Sequence, residues 1–287
     1  MREFNQTTKN HCYKNWSIGL NRFDDNGILI DGVFRNPVLT SSSVTDVNAG
    51  FVADPFSVEF NNRVYIFFEV WNKERTMGEI GVAEFNGEKC TYLKIALREK
   101  FHLSYPNIFR VDNKFYMLPE AWESGKLRLY EALNFPFNWK LKTILMNKDY
   151  ADPNIIEHEG KWYLFLCSEP LENSAFEIYY SEHIEGPWVP HPKNPILINN
   201  KKFSRSAGRI LKKNKNIYRF TQDCSQFYGQ KVYVSRINKM DPATYKETNY
   251  SIKPFMSPDK KSWNKKALHH IDFFNLKDNY FCLIDGY

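Results

Sequence analysis

Two stretches of this chain run the same course: Ala53-Asp54-Pro55-Phe56-Ser57-Val58-Glu59-Phe60-Asn61-Asn62-Arg63-Val64-Tyr65-Ile66-Phe67-Phe68 and Ala151-Asp152-Pro153-Asn154-Ile155-Ile156-Glu157-His158-Glu159-Gly160-Lys161-Trp162-Tyr163-Leu164-Phe165-Leu166. Each opens on Ala-Asp-Pro, enters a short apolar strand, turns at a polar pair and returns as an aromatic-rich strand. Ser104-Tyr105-Pro106-Asn107 opens a third copy between them. The starts lie about 50 residues apart, a period that belongs to propeller blades. A propeller brings the start of every blade to one axis, so Asp54 and Asp152 are predicted to face each other across one pocket.

The pattern extends in both directions. Blade one is read near 51–92, with strands at 54–60, 64–69 and 78–85 and a hairpin turn at Asn61-Asn62. Blade two is read near 103–141 and turns at Asp112-Asn113; blade three is read near 151–188 and turns at Glu159-Gly160. A divergent blade four is placed near 204–237. Blade five, near 267–287, stops two strands in, and an open ring would leave a sheet edge exposed. The segment Asn15-Trp16-Ser17-Ile18-Gly19-Leu20-Asn21-Arg22-Phe23 is therefore expected to close the ring as the missing outer strand of blade five. The expected fold is all-β: residues 1–287 as a single five-bladed β-propeller. Residues 240–266, with Pro242, Pro254 and Pro258, read as a loop-like insertion over one face.

Composition supports one repeat domain. The chain has 287 residues, of which 43% are hydrophobic and 16% aromatic, enough for a sizeable core. Net charge is +6, compatible with an anionic ligand or a membrane surface. The lysine runs at 212–215 and 260–266 read as solvated turns, and no nucleic-acid motif accompanies them. Cys12, Cys90, Cys167, Cys224 and Cys282 are odd in number and no pair has metal-ligand spacing. No cofactor or metal is assigned, and an ion at a propeller axis stays open. With no apolar run at the N-terminus and no span of 18 apolar residues, the expectation is a reducing, cytoplasmic setting without a membrane span. Peripheral membrane association stays open.

Polar residues recur where strands should meet the axis. Glu69, Glu120 and Gln222 each end the second strand of their blade, where they either rim the pocket or bond neighbouring blades. His270, beside Asp272, is predicted to approach the axis as an acid–base or sugar-bonding group, and His102 and Tyr105 stand at the opening of blade two. Asp223, in a tight loop with Tyr228-Gly229, is a further carboxylate candidate. In Arg205-Ser206-Ala207-Gly208-Arg209, guanidinium groups flank a glycine that permits close backbone approach. They suit a phosphate or carboxylate, or else surface ion pairs.

Phe101-His102-Leu103-Ser104-Tyr105-Pro106, Met117-Leu118-Pro119-Glu120, Arg205-Ser206-Ala207-Gly208-Arg209 and Gln222-Asp223-Cys224 resemble the N-terminal domain family of glucosamine inositolphosphorylceramide transferases. More distantly, the Ala-Asp-Pro-Phe motif and residues 186–196 resemble furanosidase-type glycoside hydrolases, which are five-bladed propellers. The second resemblance implies that Asp54 holds the place of a general base and Asp152 that of a residue tuning the acid. An Asp-Pro pair is also a turn device. The acid expected on blade four is replaced by Arg205-Ser206-Ala207-Gly208-Arg209, and arginine cannot donate a proton near neutral pH.

The expected function is carbohydrate-active. It is a sugar transferase in surface polysaccharide or glycolipid assembly, using a phosphorylated or nucleotide-activated donor held by Arg205 and Arg209, with a glycan or glycolipid acceptor. Asp54, Asp152, Glu120 and His270 are the catalytic candidates; Arg205, Arg209, Glu69, Gln222, Asp223, Tyr105 and His102 are the substrate-binding candidates. The alternatives are a furanosidase-type hydrolase, with Glu120 or Asp223 as acid, and a non-catalytic carbohydrate-binding propeller.

Overall fold

The computed structural model describes residues 15–24, 28–249 and 251–287. Cys12 lies outside them. Five four-stranded antiparallel sheets form the ring. Blade one holds β3 (Ala49–Phe60), β4 (Arg63–Asn72), β5 (Met77–Phe85) and β6 (Cys90–Leu97), and is preceded by β1 (Ser17–Phe23) and β2 (Leu29–Ile30). Blade two holds β7 (Ser104–Val111), β8 (Lys114–Glu120), β9 (Leu127–Asn134) and β10 (Phe137–Met146). Blade three holds β11 (Ala151–His158), β12 (Lys161–Cys167), β13 (Phe176–Ser181) and β14 (Val189–Pro190). Blade four holds β15 (Leu211–Lys213), β16 (Asn216–Gln222), β17 (Val232–Met240) and β18 (Tyr245–Asn249). In blade five, β19 (Ile271–Leu276) and β20 (Asn279–Gly286) are completed by β1 and β2 in the order β19-β20-β1-β2.

Ring closure by the N-terminal segment is as expected, with Ser17 to Phe23 paired to Gly286 to Tyr280 along the whole of β1, but β1 is the third strand of blade five and β2 is the outer one. One expectation is corrected. Residues 240–266 are not all loop, because Tyr245–Asn249 is the outer strand of blade four, paired with β17. The irregular insertion begins only after it.

The inner hairpins follow from their turn residues. Asn61-Asn62, Glu159-Gly160, Asn214-Lys215 and Lys277-Asp278 all have two consecutive positive φ angles, the backbone that a two-residue hairpin turn requires. The core is five apolar seams, one between each pair of neighbouring blades. Ile18, Leu20, Ile66, Phe68 and Leu283 join blades five and one. Phe56, Phe67, Ile108 and Met117 join one and two; Leu118, Leu129, Leu164 and Leu166 join two and three. Phe165, Ile178, Ile217 and Ile237 join three and four, and Phe220, Val234, Ile271 and Ile284 join four and five.

At the axis the repeated motif makes a repeated bulge. The β3–β4 register shifts between Ala53 and Phe56, β7–β8 between Ser104 and Asn107, and β11–β12 between Ala151 and Asn154. Inside those bulges Asp54, Tyr105 and Asp152 have φ of 53°, 46° and 44°, left-handed values that cost a side-chain-bearing residue about 1–3 kcal/mol each. Blade four uses Gly208 at φ 112°, where a Cβ would stand 1.8 Å from the carbonyl oxygen of Ile271. Tyr105 holds these turns together across the channel. Its hydroxyl accepts from the Gly208 N–H (2.8 Å) and the Asn154 amide (2.9 Å) and donates to the Gly208 carbonyl (2.9 Å).

The Tyr105→Phe variant would leave two buried donors without an acceptor. Its expected cost is about 1–3 kcal/mol in denaturant unfolding, with the fold retained.

Candidate functional site

Arg205 is the hub of the axial site. Its Nε donates to Asp152 Oδ2 (2.6 Å), and Nη2 donates to Asp152 Oδ1 (3.2 Å) and Glu120 Oε2 (3.1 Å). Nη1 donates to Asn173 Oδ1 (2.8 Å) and the Pro170 carbonyl (3.2 Å). A guanidinium has five N–H groups, and these five contacts use them all. The expectation of a fork open to a phosphate is therefore corrected for Arg205: its acceptors are the protein's own. Burial works against the charge, but Asp152 and Glu120 overcome it and hold Arg205 well above the ordinary arginine range. Burial, seconded by the Glu120 and Asp54 carboxylates, raises Asp152 well above the usual range despite Arg205. Asp152 Oδ2 also accepts from the Gln222 amide at 2.6 Å.

Asp54 is held differently. His269 Nε2 lies 3.2 Å from Asp54 Oδ1, and His269 Nδ1 lies 2.9 Å from Asp285 Oδ1. Desolvation disfavours a charged His269, but the two carboxylates more than offset it and raise its pKa to about 10. His269 is accordingly an imidazolium near neutral pH. Burial pushes Asp54 up, and the bond and charge of His269 more than reverse this, so Asp54 is lowered below 3.8 and stays ionised. Asp285, fully buried at the end of β20, accepts the backbone N–H groups of Asp54, His269 and His270. It thereby fixes the axial turns of blades five and one.

Glu69 is the carboxyl left over. Glu69 pairs with Ala53 in β3–β4 as Glu120 pairs with Ser104 in β7–β8, so the two hold equivalent places. Glu120 Oε2 accepts the N–H of the next blade's bulge residue, Asp152, at 2.9 Å. The corresponding N–H for Glu69 is that of Tyr105, and Asp54 Oδ2 accepts it instead at 3.3 Å. Among the described residues Glu69 keeps only His102, whose Nε2 lies 3.4 Å from Oε1. His102 Nδ1 accepts the Gly78 N–H at 2.8 Å, and burial holds its pKa below 6.5, so the neutral ring turns its Nε2–H toward Glu69. Burial, with the Asp54 and Glu120 carboxylates, raises Glu69 well above the usual range. A carboxylate whose pKa is lowered and a carboxyl whose pKa is raised are thus neighbours on β3 and β4.

The other expected residues divide. Gln222 orients Asp152, as above. Arg209 lies in the channel with its fork on Asp272 (2.8 and 3.2 Å) and further bonds to the Ile108 and Ser57 carbonyls; this fork too is engaged within the protein. Asp223 is spent in its own loop, accepting from the Ser225 N–H and hydroxyl and the Gln230 amide. His270 is fully buried between Phe56 and Tyr105, neutral through burial, with neither ring nitrogen hydrogen-bonded and Nδ1 3.6 Å from Asp54 Oδ1. Sequence reasoning missed His269, Asp285 and Asn173. Asp285 lies at the end of the second strand of its blade, as Glu120 does, so a signal for it was present; β4 runs three residues past Glu69 to Asn72. Around the mouth, Tyr228 lies over Arg205 at 5.1 Å and beside His269 at 5.2 Å, and Trp71 lies beside His102 at 5.9 Å. Such aromatic faces suit a sugar.

Asp54, His269 and Asp285 bring three ligand atoms within 4.8 Å of one another. Sequence spacing had shown no such cluster. A metal there would compete with the His269 protons, since only neutral imidazole ligates.

Residues 32–287 match the family model described as glucosamine inositolphosphorylceramide transferase 1, N-terminal. The protein named glucosamine inositolphosphorylceramide transferase 1 in Arabidopsis thaliana is 36% identical over 262 residues, covering 88% of this chain and 34% of its own length. Its namesake in Oryza sativa subsp. japonica is 37% identical over 248 residues, covering 83% of this chain and 33% of its own. The chain thus spans about a third of the length of these curated relatives. Among solved structures, an exo-β-1,3-galactanase from Clostridium thermocellum superposes with a TM-score of 0.63 at 17% identity over 79% of this chain and 54% of its own. A putative glycoside hydrolase from Parabacteroides distasonis gives 0.62 at 10% identity over 96% and 97%. At these identities the likeness is one of fold.

The raised pKa of His269 has a consequence for stability. The folded state holds its proton more tightly than the unfolded state, so the contribution is whole below pH 6.5 and is lost as pH rises through about 10. Denaturant midpoints are expected to fall across that window. His269→Asn should be less stable than the parent below pH 6.5 and show a flatter profile above it; matching slopes would remove the imidazolium.

Proposed function

The chain belongs to the glucosamine inositolphosphorylceramide transferase 1 N-terminal family, and on that footing we propose that it handles a sugar in glycolipid assembly through its axial pocket. The names of the relatives support sugar transfer. The glycoside hydrolase neighbours support a propeller axis as the place for a sugar. The observation that carries the reading is Glu69: a buried carboxyl freed from the structural task of its counterpart Glu120, beside an ionised Asp54.

In the proposed step, Asp54 takes the proton of an acceptor hydroxyl as its oxygen bonds to the anomeric carbon. Glu69 gives its proton to the oxygen that leaves that carbon, so one C–O bond forms and one breaks. Arg205, hydrogen-bonded to Asp152 and Glu120, keeps the pocket's shape. The phosphate-bearing donor draws no support from Arg205, whose N–H groups are all engaged; a donor whose leaving oxygen needs a proton suits Glu69 better. With water as acceptor the same pair would hydrolyse. The reducing, cytoplasmic setting is part of this proposal and is supported by free thiols at Cys90, Cys167, Cys224 and Cys282.

The test is turnover and calorimetric binding of neutral glycosides, glycolipids, sugar phosphates and nucleotide sugars by the parent, Glu69→Gln and Asp54→Asn. Each variant is expected to lose about 10²–10⁴-fold in turnover while retaining sugar binding. Activity should have an acidic limb below pH 3.8 from Asp54 and an alkaline limb above 4.5 from Glu69, the latter absent in Glu69→Gln. Sugar binding with no turnover in the parent would reduce the site to a carbohydrate-binding one. Tight phosphate-dependent binding lost in Arg205→Ala would restore the arginine-held donor.

A further inference from the structure

The loops at the axial-site end of blades three and four carry apolar side chains into solvent. Leu171 is 63% exposed on the β12–β13 loop, which also supplies Pro170 and Asn173 to Arg205. Phe227 is 45% exposed on the β16–β17 loop, next to Tyr228 at the mouth. Ile252 is 98% exposed on the insertion that follows β18, and Phe255 beside it packs its ring on Phe220 and Phe273 at 5.5 and 6.2 Å. That insertion is anchored at the same end. Met256 bridges to Val232, the partner of Gln222, and the Lys266 N–H donates to the carbonyl of Tyr287. From there the chain runs directly into His269. Single exposed apolar residues are ordinary; three, one on each of three loops that reach the rim of one site, are a surface.

Charge accompanies it. Lys253, Lys260, Lys261, Lys265 and Lys266 are all exposed on the insertion, and Asp259 is the single acid within 251–266. The Asp259 carboxylate accepts the Lys261 N–H, which shapes the turn that presents the two lysines. On the neighbouring loop Glu172 is paired with Lys201 at 3.3 Å. Apolar tips backed by unpaired lysines match the boundary of an anionic bilayer, where the apolar groups enter the acyl edge and ammonium groups meet lipid phosphates.

We propose that this end of blades three to five docks on an anionic membrane surface, with Leu171, Phe227 and Ile252 entering the headgroup boundary and the insertion lysines facing lipid phosphate. The inference goes beyond the sugar reading and stands on a different set of residues. Docked in this way, the mouth of the axial site opens at the lipid surface.

Sedimentation of the full chain with vesicles tests it, using phosphatidylcholine alone and phosphatidylcholine mixed with phosphatidylglycerol. Binding to the mixed vesicles, weakened by salt and nearly absent on phosphatidylcholine alone, is expected. The quadruple variant Lys260→Ser, Lys261→Ser, Lys265→Ser, Lys266→Ser should bind at least about tenfold more weakly. Leu171→Ser with Phe227→Ser and Ile252→Ser should lose about tenfold or more. All these positions are exposed or at the surface, so unfolding midpoints should match the parent and keep a loss of binding interpretable. No sedimentation with mixed vesicles, equal binding to both vesicle types, or variants that bind like the parent would overturn the proposal. The assay uses no sugar, so it fails or succeeds independently of Asp54 and Glu69.

Discussion

The buried guanidinium of Arg205 is the constraint on which the axial site depends. A charge held this far from water needs every donor satisfied, and taking away one partner of such a pair commonly costs about 3–5 kcal/mol. Two carboxylates, an amide oxygen and a carbonyl meet that need here, from blades two and three. Their engagement assigns tasks to the rest of the ring. Asp152 and Glu120 are committed to Arg205, and Asp285 is committed to three backbone N–H groups. Asp54 and Glu69 are neighbours shifted in opposite directions, Asp54 lowered by an imidazolium and Glu69, like Asp152, raised by burial and acidic neighbours.

The backbone carries a cost for this arrangement. Three residues with side chains sit in left-handed bulges at the axis, where the chain would otherwise continue as strand. Local geometry does not favour them. The bulges persist because five apolar seams and the Tyr105 bridge leave the turns no other place to go. The same bulge turns the Asp54 and Asp152 side chains out of the strand pattern and toward the axis, so the strain and the site share one origin.

Much of this was legible in the sequence because the repeat exposes it. Ala-Asp-Pro recurring on apolar hairpins marks the blade starts, and an incomplete last blade calls for the strand at Ser17–Phe23. The register of Glu69, Glu120 and Gln222 was likewise visible, including the option that such residues bond neighbouring blades, which Glu120 and Gln222 do. What the sequence could not supply was partners. Arg205 read as a fork open to a ligand because its residue type is evident and its acceptors, 53 and 85 residues away, are not. His269 and Asp285 escaped for the same reason: their roles exist only once the last strand returns to the first blade. Blade four hid its outer strand, Tyr245–Asn249, behind Pro242 and a polar run, since pairing with β17 rather than local composition makes it a strand.

The charge distribution bears on the proposed substrate. The whole chain is basic, with a net charge of +6, yet its axis is acidic: Asp54, Glu69, Glu120, Asp152 and Asp285 are buried around Arg205 and His269. Both cations are already shared between carboxylates, so a phosphate brought to the axis meets more negative charge and no free donor on Arg205. Like charges at close range in a poorly hydrated site repel strongly. A neutral sugar meets the opposite situation, since its hydroxyl groups can both donate to carboxylates and accept from the Glu69 proton. Positive charge is kept instead on the exposed lysines of the insertion, outside the pocket. On the two proposals together, the electrostatic tasks are separate, with acid and base for a neutral group at the axis and attraction for anions at the rim.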